Sequence, residues 1–331
     1  MSGFSRSDYG VGVELAPRLA EAAQSFLGAL DPEQRGRAQL PFDAPERRRW
    51  HYTPQPARAG VAMGQMARTQ AKAAQRLVAA GLRLASYARL VTIMVLEDVL
   101  DELEGGRADR HAGDYWLVVF GDPGDDPWGW RFEGHHLSVN HTVADGRVSA
   151  TPLFLGANPA RVSEAGATLL RPLGREEDLA LDLLASLDER QRGRAVFSDQ
   201  PPADIVTGED AHPPGRLEPA GVAGADLSQR SADILRALAA TFVERLPDDL
   251  ARPRLAALEG RSVGQLHFAW AGEVAPHRPH YYRIQGPGFF AELDDTEEGG
   301  NHVHTVFRDP DDDFGADVLR AHRHADHALA R

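Results

Sequence analysis

The sequence has no cysteine among its 331 residues. That absence excludes a disulfide framework, a zinc-thiolate site, an iron–sulfur cluster held by cysteine and a cysteine nucleophile. Phosphate-binding loops, dinucleotide-binding glycine motifs, the HExxH zinc motif and the serine nucleophile elbow are absent as well. A bound metal ion would therefore need histidine, aspartate, glutamate or backbone oxygen as its ligands.

Lysine and asparagine are scarce. Lys72 is the only lysine among the 36 basic residues, and the only asparagines are Asn140, Asn158 and Asn301. We infer a GC-rich genome. Its mutational bias tends to remove asparagine codons, so the positions that keep an asparagine are informative. Asn140 and Asn301 directly precede a histidine, which directs attention to the histidine-rich segments.

Positive charge is in deficit, with 36 basic against 49 acidic residues and a net charge of −13. This sign disfavours nucleic acid and anionic membrane surfaces as partners.

Apolar runs are a few residues long, far below the roughly 18 of a membrane span. The first eight residues show no export signal, so we expect a cytoplasmic protein. The oligomeric state is left open.

The chain repeats a short pattern. Residues 29–38 read ALDPEQRGRA and residues 186–195 read SLDERQRGRA. Each follows an amphipathic stretch with helical spacing, and each half later changes to β-like sequence, at 115–121 and at 266–272. Helices that precede hairpins in both halves indicate an α+β fold rather than alternating βαβ units.

We therefore predict an internally duplicated α+β unit, helices followed by β-hairpins, with pseudo-two-fold symmetry. The first copy would cover residues 1–160 and the second residues 161–331. The two copies would form one intertwined globular body and would either meet sheet to sheet or share one sheet.

Histidines and carboxylates meet in one predicted hairpin of the second copy. His302 and His304 lie two residues apart on a β-like segment and therefore share a face, as do Glu292 and Asp294 upstream. If Asp294 lies opposite His302, Glu292 lies opposite His304. The pattern predicts a divalent metal ion, zinc, iron or manganese, held by His302, His304 and Glu292 or Asp294. A slip of one residue would separate the two ligand types.

The first copy carries its own histidines beside tryptophan-rich sequence. His135, His136 and Asn140 are candidate catalytic residues that would face the metal across a cleft between the copies. In the alternative interpretation, His135 and His136 satisfy backbone groups near Gly134 or stack on the tryptophans.

Two arginines occupy equivalent places in the copies. Arg131 and Arg283 are candidate catalytic residues because paired guanidinium groups can orient an anionic substrate. The alternative is an ion pair between the copies, with Glu97 or Glu259 as the partner.

The sequence contains four distinctive blocks: WGWRFEGHHLSVN (128–140), TPLFLGANP (151–159), HYYRIQGP (280–287) and NHVHTVFRDP (301–310). Together they resemble the blocks of a bacterial and eukaryotic family catalogued as domain of unknown function 3500. The resemblance extends from about residue 15 to about residue 325, and it implies one full-length unit marked by its Gly-His-His and Asn-His-x-His blocks. It implies no activity.

The leading functional hypothesis is a metal-dependent enzyme, a hydrolase or a non-haem-iron type of oxidoreductase. Its small substrate, anionic if the arginines bind it, would lie in a cleft between the copies. The alternative is a non-catalytic protein that binds a small molecule. The cleft would then be lined by aromatic residues: Trp128, Trp130, Trp270, Tyr281 and Tyr282.

Overall fold

The computed structural model describes residues 15–55, 57–103, 105–106, 111 and 113–329, with only the backbone of 261 and 323–329. Residues 1–14 and 330–331, at the outer ends of the two predicted copies, lie outside the described residues. The expectation about an export signal rests on that N-terminal segment.

Nine α-helices lie within the described residues, and none of them is both long and apolar enough to cross a membrane. They are α1 (Leu15–Ala29), α2 (Pro32–Ala38), α3 (Arg68–Ala80), α4 (Leu84–Leu103), α5 (Gly174–Ser186), α6 (Glu189–Ala195), α7 (Gln229–Val243), α8 (Asp248–Glu259) and α9 (Ala316–Leu329).

The repeated sequence pattern encodes the start of two short helices, α2 and α6. Asp31 accepts a hydrogen bond from the backbone N–H of Gln34, and the Gln34 side chain accepts one from the backbone N–H of Asp31. Asp188 and Gln191 form the same reciprocal pair before α6. Each capping box satisfies two helix-terminal N–H groups that would otherwise lack partners.

Fifteen strands lie in the described part of the chain. They are β1 (Gln39–Leu40), β2 (Val61–Ala62), β3 (Tyr115–Phe120), β4 (Trp128–Gly134), β5 (Leu137–Ala144), β6 (Arg147–Ser149), β7 (Leu153–Ala157), β8 (Val162–Glu164), β9 (Ala167–Leu170), β10 (Val196–Ser198), β11 (Val222–Ala223), β12 (His267–Gly272), β13 (His280–Gly286), β14 (Phe289–Glu297) and β15 (His302–Arg308).

Thirteen of these strands form one mixed sheet, with the main order β1-β3-β4-β5-β7-β15-β14-β13-β12-β10. At its centre β7 pairs antiparallel with β15, with Leu155 opposite Thr305. The strands of the two sequence halves therefore share one sheet. Helices together with this large sheet give the α+β class that the sequence predicts; the internal duplication stays a prediction.

The two faces of the sheet are covered differently. The helix face carries the main hydrophobic core, which includes Phe132, Leu155, Tyr282 and Leu293 together with residues of α1, α3, α4, α5 and α7. The loop face is covered by the chain segments around residues 44–55 and 199–220, which bond to it through Glu46 and Val206, and by part of α9. Its apolar cluster consists of Trp50, Tyr52, Phe154, Ile205, Val306 and Phe314.

The register predicted for the β14–β15 hairpin is wrong. Asp294 lies opposite His304, and Glu292 lies opposite Val306. The physical reason is that β14 continues to Glu297 and carries an irregularity between Asp294 and Glu297, so that Glu297 pairs with His302. Asp294 still shares a sheet face with His304. The observed pairing differs from the predicted one by two residues, and an even shift keeps side chains on the same face.

The core contains one histidine whose burial makes the fold sensitive to acid. His141 is 3% exposed, and its ring stacks on Trp130 with centroids 4.4 Å apart and planes 6° apart. Burial lowers the pKa of His141 to about 3. In the unfolded chain the group titrates near about 6.5, so the unfolded state takes up a proton between these two values that the folded state does not.

We expect acidification from about pH 7 to about pH 5 to cost about 2 kcal/mol of the free energy of unfolding through His141 alone. The variant His141→Phe keeps an aromatic ring on Trp130 and should lack this part of the pH dependence. Urea unfolding of both proteins at both pH values measures it. Aspartates with raised pKa values change the free energy of unfolding with the opposite sign as the pH falls, but they do so equally in both proteins. An equal pH dependence in both proteins would contradict the assignment.

Candidate metal centre

His136 sits at the tip of the β4–β5 hairpin in an unusual backbone conformation. Its φ is 62°, in the left-handed region that costs most residues about 1–2 kcal/mol. The backbone is anchored on both sides, since its N–H donates to O of Tyr52 (2.9 Å) and its carbonyl accepts from N of Gly156 (2.8 Å). Strain of this kind persists where the surrounding structure fixes it, and it is common at functional sites.

The imidazole of His136 meets those of His302 and His304, and we call these residues the three-histidine cluster. Nε2 of His136 lies 2.8 Å from Nε2 of His302. One ring nitrogen from each residue lies within 4.8 Å of the others, which is metal-ligand spacing. The histidine rings stand steeply to one another, with His302 and His304 at 87°. The side chains of His302 and His304 are 12% and 11% exposed, so solvent reaches the cluster.

Gly156 leaves the space that two of these rings occupy. A Cβ at this position would lie 3.0 Å from Cδ2 of His136 and 3.1 Å from Cδ2 of His304. A side chain on Gly156 would therefore require the rings of His136 and His304 to shift by a few tenths of an ångström.

Carboxylates orient two of the three imidazoles. Nδ1 of His304 lies 2.8 Å from Oδ1 of Asp204, and Nδ1 of His302 lies 2.7 Å from Oε2 of Glu297. An ionised carboxylate only accepts hydrogen bonds, so Nδ1 is the donor in each ring and Nε2 is the nitrogen left to bind a metal. Carboxylate partners of this kind are typical of histidine metal ligands.

Asp204 is itself held in place. Its Oδ2 accepts from the Tyr52 hydroxyl (2.9 Å), and its Oδ1 accepts from N of Ile205 (2.6 Å). Burial acts to raise the pKa of Asp204, but its hydrogen bonds to His304, Ile205 and Tyr52 outweigh burial, and the pKa is lowered. Burial and the charge of Asp204 raise the pKa of Tyr52. The pair therefore stays a carboxylate and a neutral phenol at neutral pH.

His135 supports the cluster from the side. Its Nδ1 lies 2.8 Å from Oε1 of Glu97 on α4, and its ring stacks on His136 with centroids 3.7 Å apart. His135, His136 and Glu97 also satisfy metal-ligand spacing as a group. The sequence-based alternative gave Glu97 or Glu259 as the partner of an arginine in an ion pair between the copies; in the structure the Glu97 carboxylate binds His135.

Of the four predicted metal ligands, the structure brings together His302 and His304. Glu292 is buried and accepts hydrogen bonds from N of Val206, from N and Oγ1 of Thr207 and from the Tyr281 hydroxyl. Those contacts hold the 199–220 segment on the sheet, and Glu292 is absent from the histidine groups found among the described residues.

Asp294, the other predicted carboxylate ligand, lies opposite His304 without joining the cluster. Its Oδ1 accepts from Oγ1 of Thr296 (2.7 Å), and its buried Oδ2 has no hydrogen-bond partner in the described structure. Burial, with the charge of Asp204, raises the pKa of Asp294 to about 8. Its carboxyl group is therefore mostly protonated at neutral pH.

The remaining predicted site residues make contacts within the protein. Asn140 donates to Oγ of Ser138 and to O of Pro152, both at 3.0 Å. Arg131 donates to the backbone O and to Oε1 of Glu46, at 2.8 and 2.7 Å.

Arg283 donates to O of Pro219 and lies over the Phe197 ring. Both arginines are buried and fasten loop-face segments to the sheet, so we do not place them in the proposed site. The five aromatic residues expected to line a cleft are each at most 2% exposed: Trp128, Trp130, Trp270, Tyr281 and Tyr282.

Sequence reasoning placed His136 across a cleft and overlooked Asp204, Glu297 and Tyr52. No motif marks Asp204, which lies about 100 positions before the histidine it orients. For Asn158, whose Nδ2 donates to Oε1 of Glu298 (2.8 Å) beside His302, the scarcity of asparagine was the available signal.

Comparison with known proteins adds a family and no activity. A search of curated proteins and of solved structures finds no match. A family model described as "Protein of unknown function (DUF3500)" matches residues 14–316. That range contains the whole three-histidine cluster and both of its carboxylate partners. The chain belongs to the DUF3500 family.

Proposed function

We propose that this protein is a metal-dependent enzyme whose metal ion is bound by His136, His302 and His304. The observation that carries the proposal is the approach of the Nε2 atoms of His136 and His302 to 2.8 Å, while Nδ1 of His302 is held by Glu297. At this distance one of the two nitrogens carries a proton that the other accepts, and a metal ion would take the place of that proton. Two bonds of about 2.0–2.1 Å to a tetrahedral zinc ion would set the nitrogens about 3.3 Å apart, so binding requires the two rings to separate by about 0.5 Å.

The ligand set favours zinc and hydrolysis. Three histidines with an open position form a catalytic zinc site, in which bound water loses its proton near neutral pH. Non-haem iron oxygenases use two histidines and one carboxylate, which here would require Asp294 to join. Iron and manganese, and with them the oxidative version of the hypothesis, are the less favoured assignments.

Neighbouring side chains suggest how a substrate would be held. Asp294 presents a buried, mostly protonated carboxyl on the same sheet face as His304, and its Oδ2 has no partner in the described structure. A protonated carboxyl can donate a hydrogen bond to a substrate oxygen. The Asp204–Tyr52 pair keeps His304 in the tautomer that ligation needs. A small molecule with a carbonyl or phosphoryl oxygen fits these groups.

We also infer an internal duplication, with copies at 1–160 and 161–331 and pseudo-two-fold symmetry. Two matching features support it: the capping boxes of α2 and α6, and the parallel pairs β1–β3 and β10–β12, which each add a short strand after those helices. His136 would then come from the first copy, and His302 and His304 from the second. A site assembled this way requires both copies.

A cytoplasmic location and the absence of nucleic-acid and membrane partners remain part of the proposal.

The test of the function begins with metal content. Protein purified without a histidine tag should contain a transition metal, and the metal-free protein should gain thermal stability when zinc is added, since a ligand of the native state stabilises it. Metal-free protein that neither binds zinc, manganese or iron(II) nor shifts its melting temperature would refute the proposal.

A second measurement separates an enzyme from a binding protein. We expect the zinc-loaded protein to hydrolyse at least one member of a panel of carboxylic and phosphoric esters, and a chelator to abolish the rate. Metal binding without turnover across the panel would favour the non-catalytic alternative.

Removing the carboxylate behind His304 should weaken the site without destroying it. For Asp204→Asn we expect metal affinity to fall about 10–100-fold, the range found when partners of metal-bound histidines are lost. Competition with a chromogenic zinc chelator measures it. Asp210→Asn removes the same charge from the same segment and should bind as the wild type does. Equal affinities of the Asp204→Asn variant and the wild type would contradict the assignment.

A further inference from the structure

A second group of buried ligands lies on the helix face of the sheet. It consists of Glu177 on α5, His280 on β13 and Asp295 on β14, and we call it the inner cluster. A ring nitrogen of His280 and carboxylate oxygens of Glu177 and Asp295 lie within 4.8 Å of one another. All three side chains are buried, with His280 at 0% exposure. None of them contributes to the three-histidine cluster.

The hydrogen bonding of His280 determines which of its nitrogens carries a proton. Nδ1 lies 2.7 Å from the carbonyl oxygen of Arg278, which can only accept, so Nδ1 is the donor. Nε2 is buried and has no hydrogen-bond partner in the described structure. The ring is fixed by stacking on Trp270, with planes 2° apart. Burial lowers the pKa of His280, which disfavours a second proton. Nε2 therefore presents a lone pair.

The two carboxylates near this lone pair already have donors on other sides. Oε1 of Glu177 accepts from N of His277 (2.9 Å), and Oε2 pairs with Arg171 (2.6 Å). Oδ1 of Asp295 accepts from the backbone N of His302 (3.0 Å). An imidazole lone pair and two carboxylates thus converge without a donor between them. Such an arrangement of buried acceptors is unfavourable unless a cation or a proton lies between them.

Space for a small occupant lies beside the inner cluster. A cavity of about 10 Å³ is lined by Glu177, Asp295, Arg161, Arg171 and Gly300. That volume is about what one water molecule needs, and it is too small for an organic ligand. The two arginines oppose a cation here, but Arg171 is bound to Glu177 and Asp178, which offset its charge.

We propose that Glu177, His280 and Asp295 bind a second divalent metal ion, separate from the three-histidine cluster. One imidazole with two carboxylates suits zinc or manganese. The ion joins α5 to two strands of the sheet. The backbone N–H of His302 donates a hydrogen bond to Asp295, so the ion also fixes the start of β15, which carries two of the three histidines. This second site is buried and structural, whereas the side chains of His302 and His304 in the first are 12% and 11% exposed.

The experiment counts metal ions in the full-length chain with the first site disabled. Metal-free proteins are dialysed against zinc chloride, and bound zinc is measured by elemental analysis. We expect about two zinc ions in the wild type, about one in His304→Ala and almost none in His304→Ala combined with Asp295→Asn. The combination of His304→Ala with Asp182→Asn, which removes an exposed charge from the same helix α5, should keep its ion.

Asp295→Asn distinguishes a metal ion from a proton. An asparagine still accepts from the backbone of His302 and can donate to Nε2 of His280. If a proton on Asp295 were the real partner, the variant would fold well and the zinc content would not change, which would overturn the proposal.

If Asp295→Asn does not fold, the single variant His304→Ala still decides the question. Added zinc should raise its melting temperature, and no rise would overturn the proposal. The zinc ion that His304→Ala loses comes from the three-histidine cluster only. Failure of the first proposal can therefore be told apart from failure of the second.

Discussion

Replacing His304 by alanine is expected to lower zinc affinity at the three-histidine cluster by more than about 100-fold, beyond the range found for losing a partner behind a ligand. Only His136 and His302 would remain, and Asp204 would be left facing a site without its imidazole. Isothermal titration of the metal-free protein with zinc measures the loss, and hydrolysis should be lost with it. The fold should survive, because His304 is not a member of the apolar cluster that holds the covering segments on this face.

His267→Ala is the matched control for that experiment. His267 is a partly buried histidine of β12, which is separated from β15 by β13 and β14. The same change of side chain should leave zinc affinity at the wild-type level. Unaltered binding by the His304→Ala variant, with the fold intact by circular dichroism, would remove the basis of the proposed function.

Replacing Glu292 by glutamine is expected to lower the free energy of unfolding by about 2–4 kcal/mol and to leave the three-histidine cluster able to bind zinc. Each Glu292 oxygen accepts two hydrogen bonds, from Val206 and Tyr281 on one side and from Thr207 on the other. A glutamine amide turns one acceptor into a donor that faces two donors, and a buried donor without a partner costs about 1–3 kcal/mol. Urea unfolding and zinc titration measure the two effects.

Glu21→Gln, a change on the exposed side of α1, is the control and should stay within about 0.5 kcal/mol of the wild type. The Glu292→Gln experiment also tests the role that the sequence pattern assigns to Glu292. Loss of zinc binding with unchanged stability would mean that Glu292 is a metal ligand after all, and that the 199–220 segment has other anchors.

The metal hypothesis depended on alternation along a strand, and this part of it agrees with the structure for the histidines. His302 and His304 converge because strand residues two positions apart share a face. The carboxylates were assigned through an assumed pairing, and that pairing was wrong by two residues. Registers of this kind depend on where a strand ends, and the irregularity between Asp294 and Glu297 has no local sequence signature.

The arginines illustrate a different difficulty. Arg131 and Arg283 do lie on strands of the sheet, as the sequence predicts, but both are buried and hold covering segments of the loop face. A buried arginine that binds a carbonyl and one that binds a substrate look alike in sequence. Only the path of the 44–55 and 199–220 segments distinguishes them, and long-range contacts set that path.

By itself, the sequence determined the α+β class, the helix starts of the repeated pattern, the restriction to oxygen and imidazole ligands, and the presence of His302 and His304 on one strand face. These properties need no contact between distant residues: capping and alternation act within about ten residues, and composition is counted without any structure. The tertiary structure alone decided that His136 joins them, that Asp204 orients His304, and that Glu177, His280 and Asp295 converge on the opposite face. Each of these contacts joins residues far apart in the chain, and their approach depends on how the central sheet pairs β7 with β15 and which segments cover its faces.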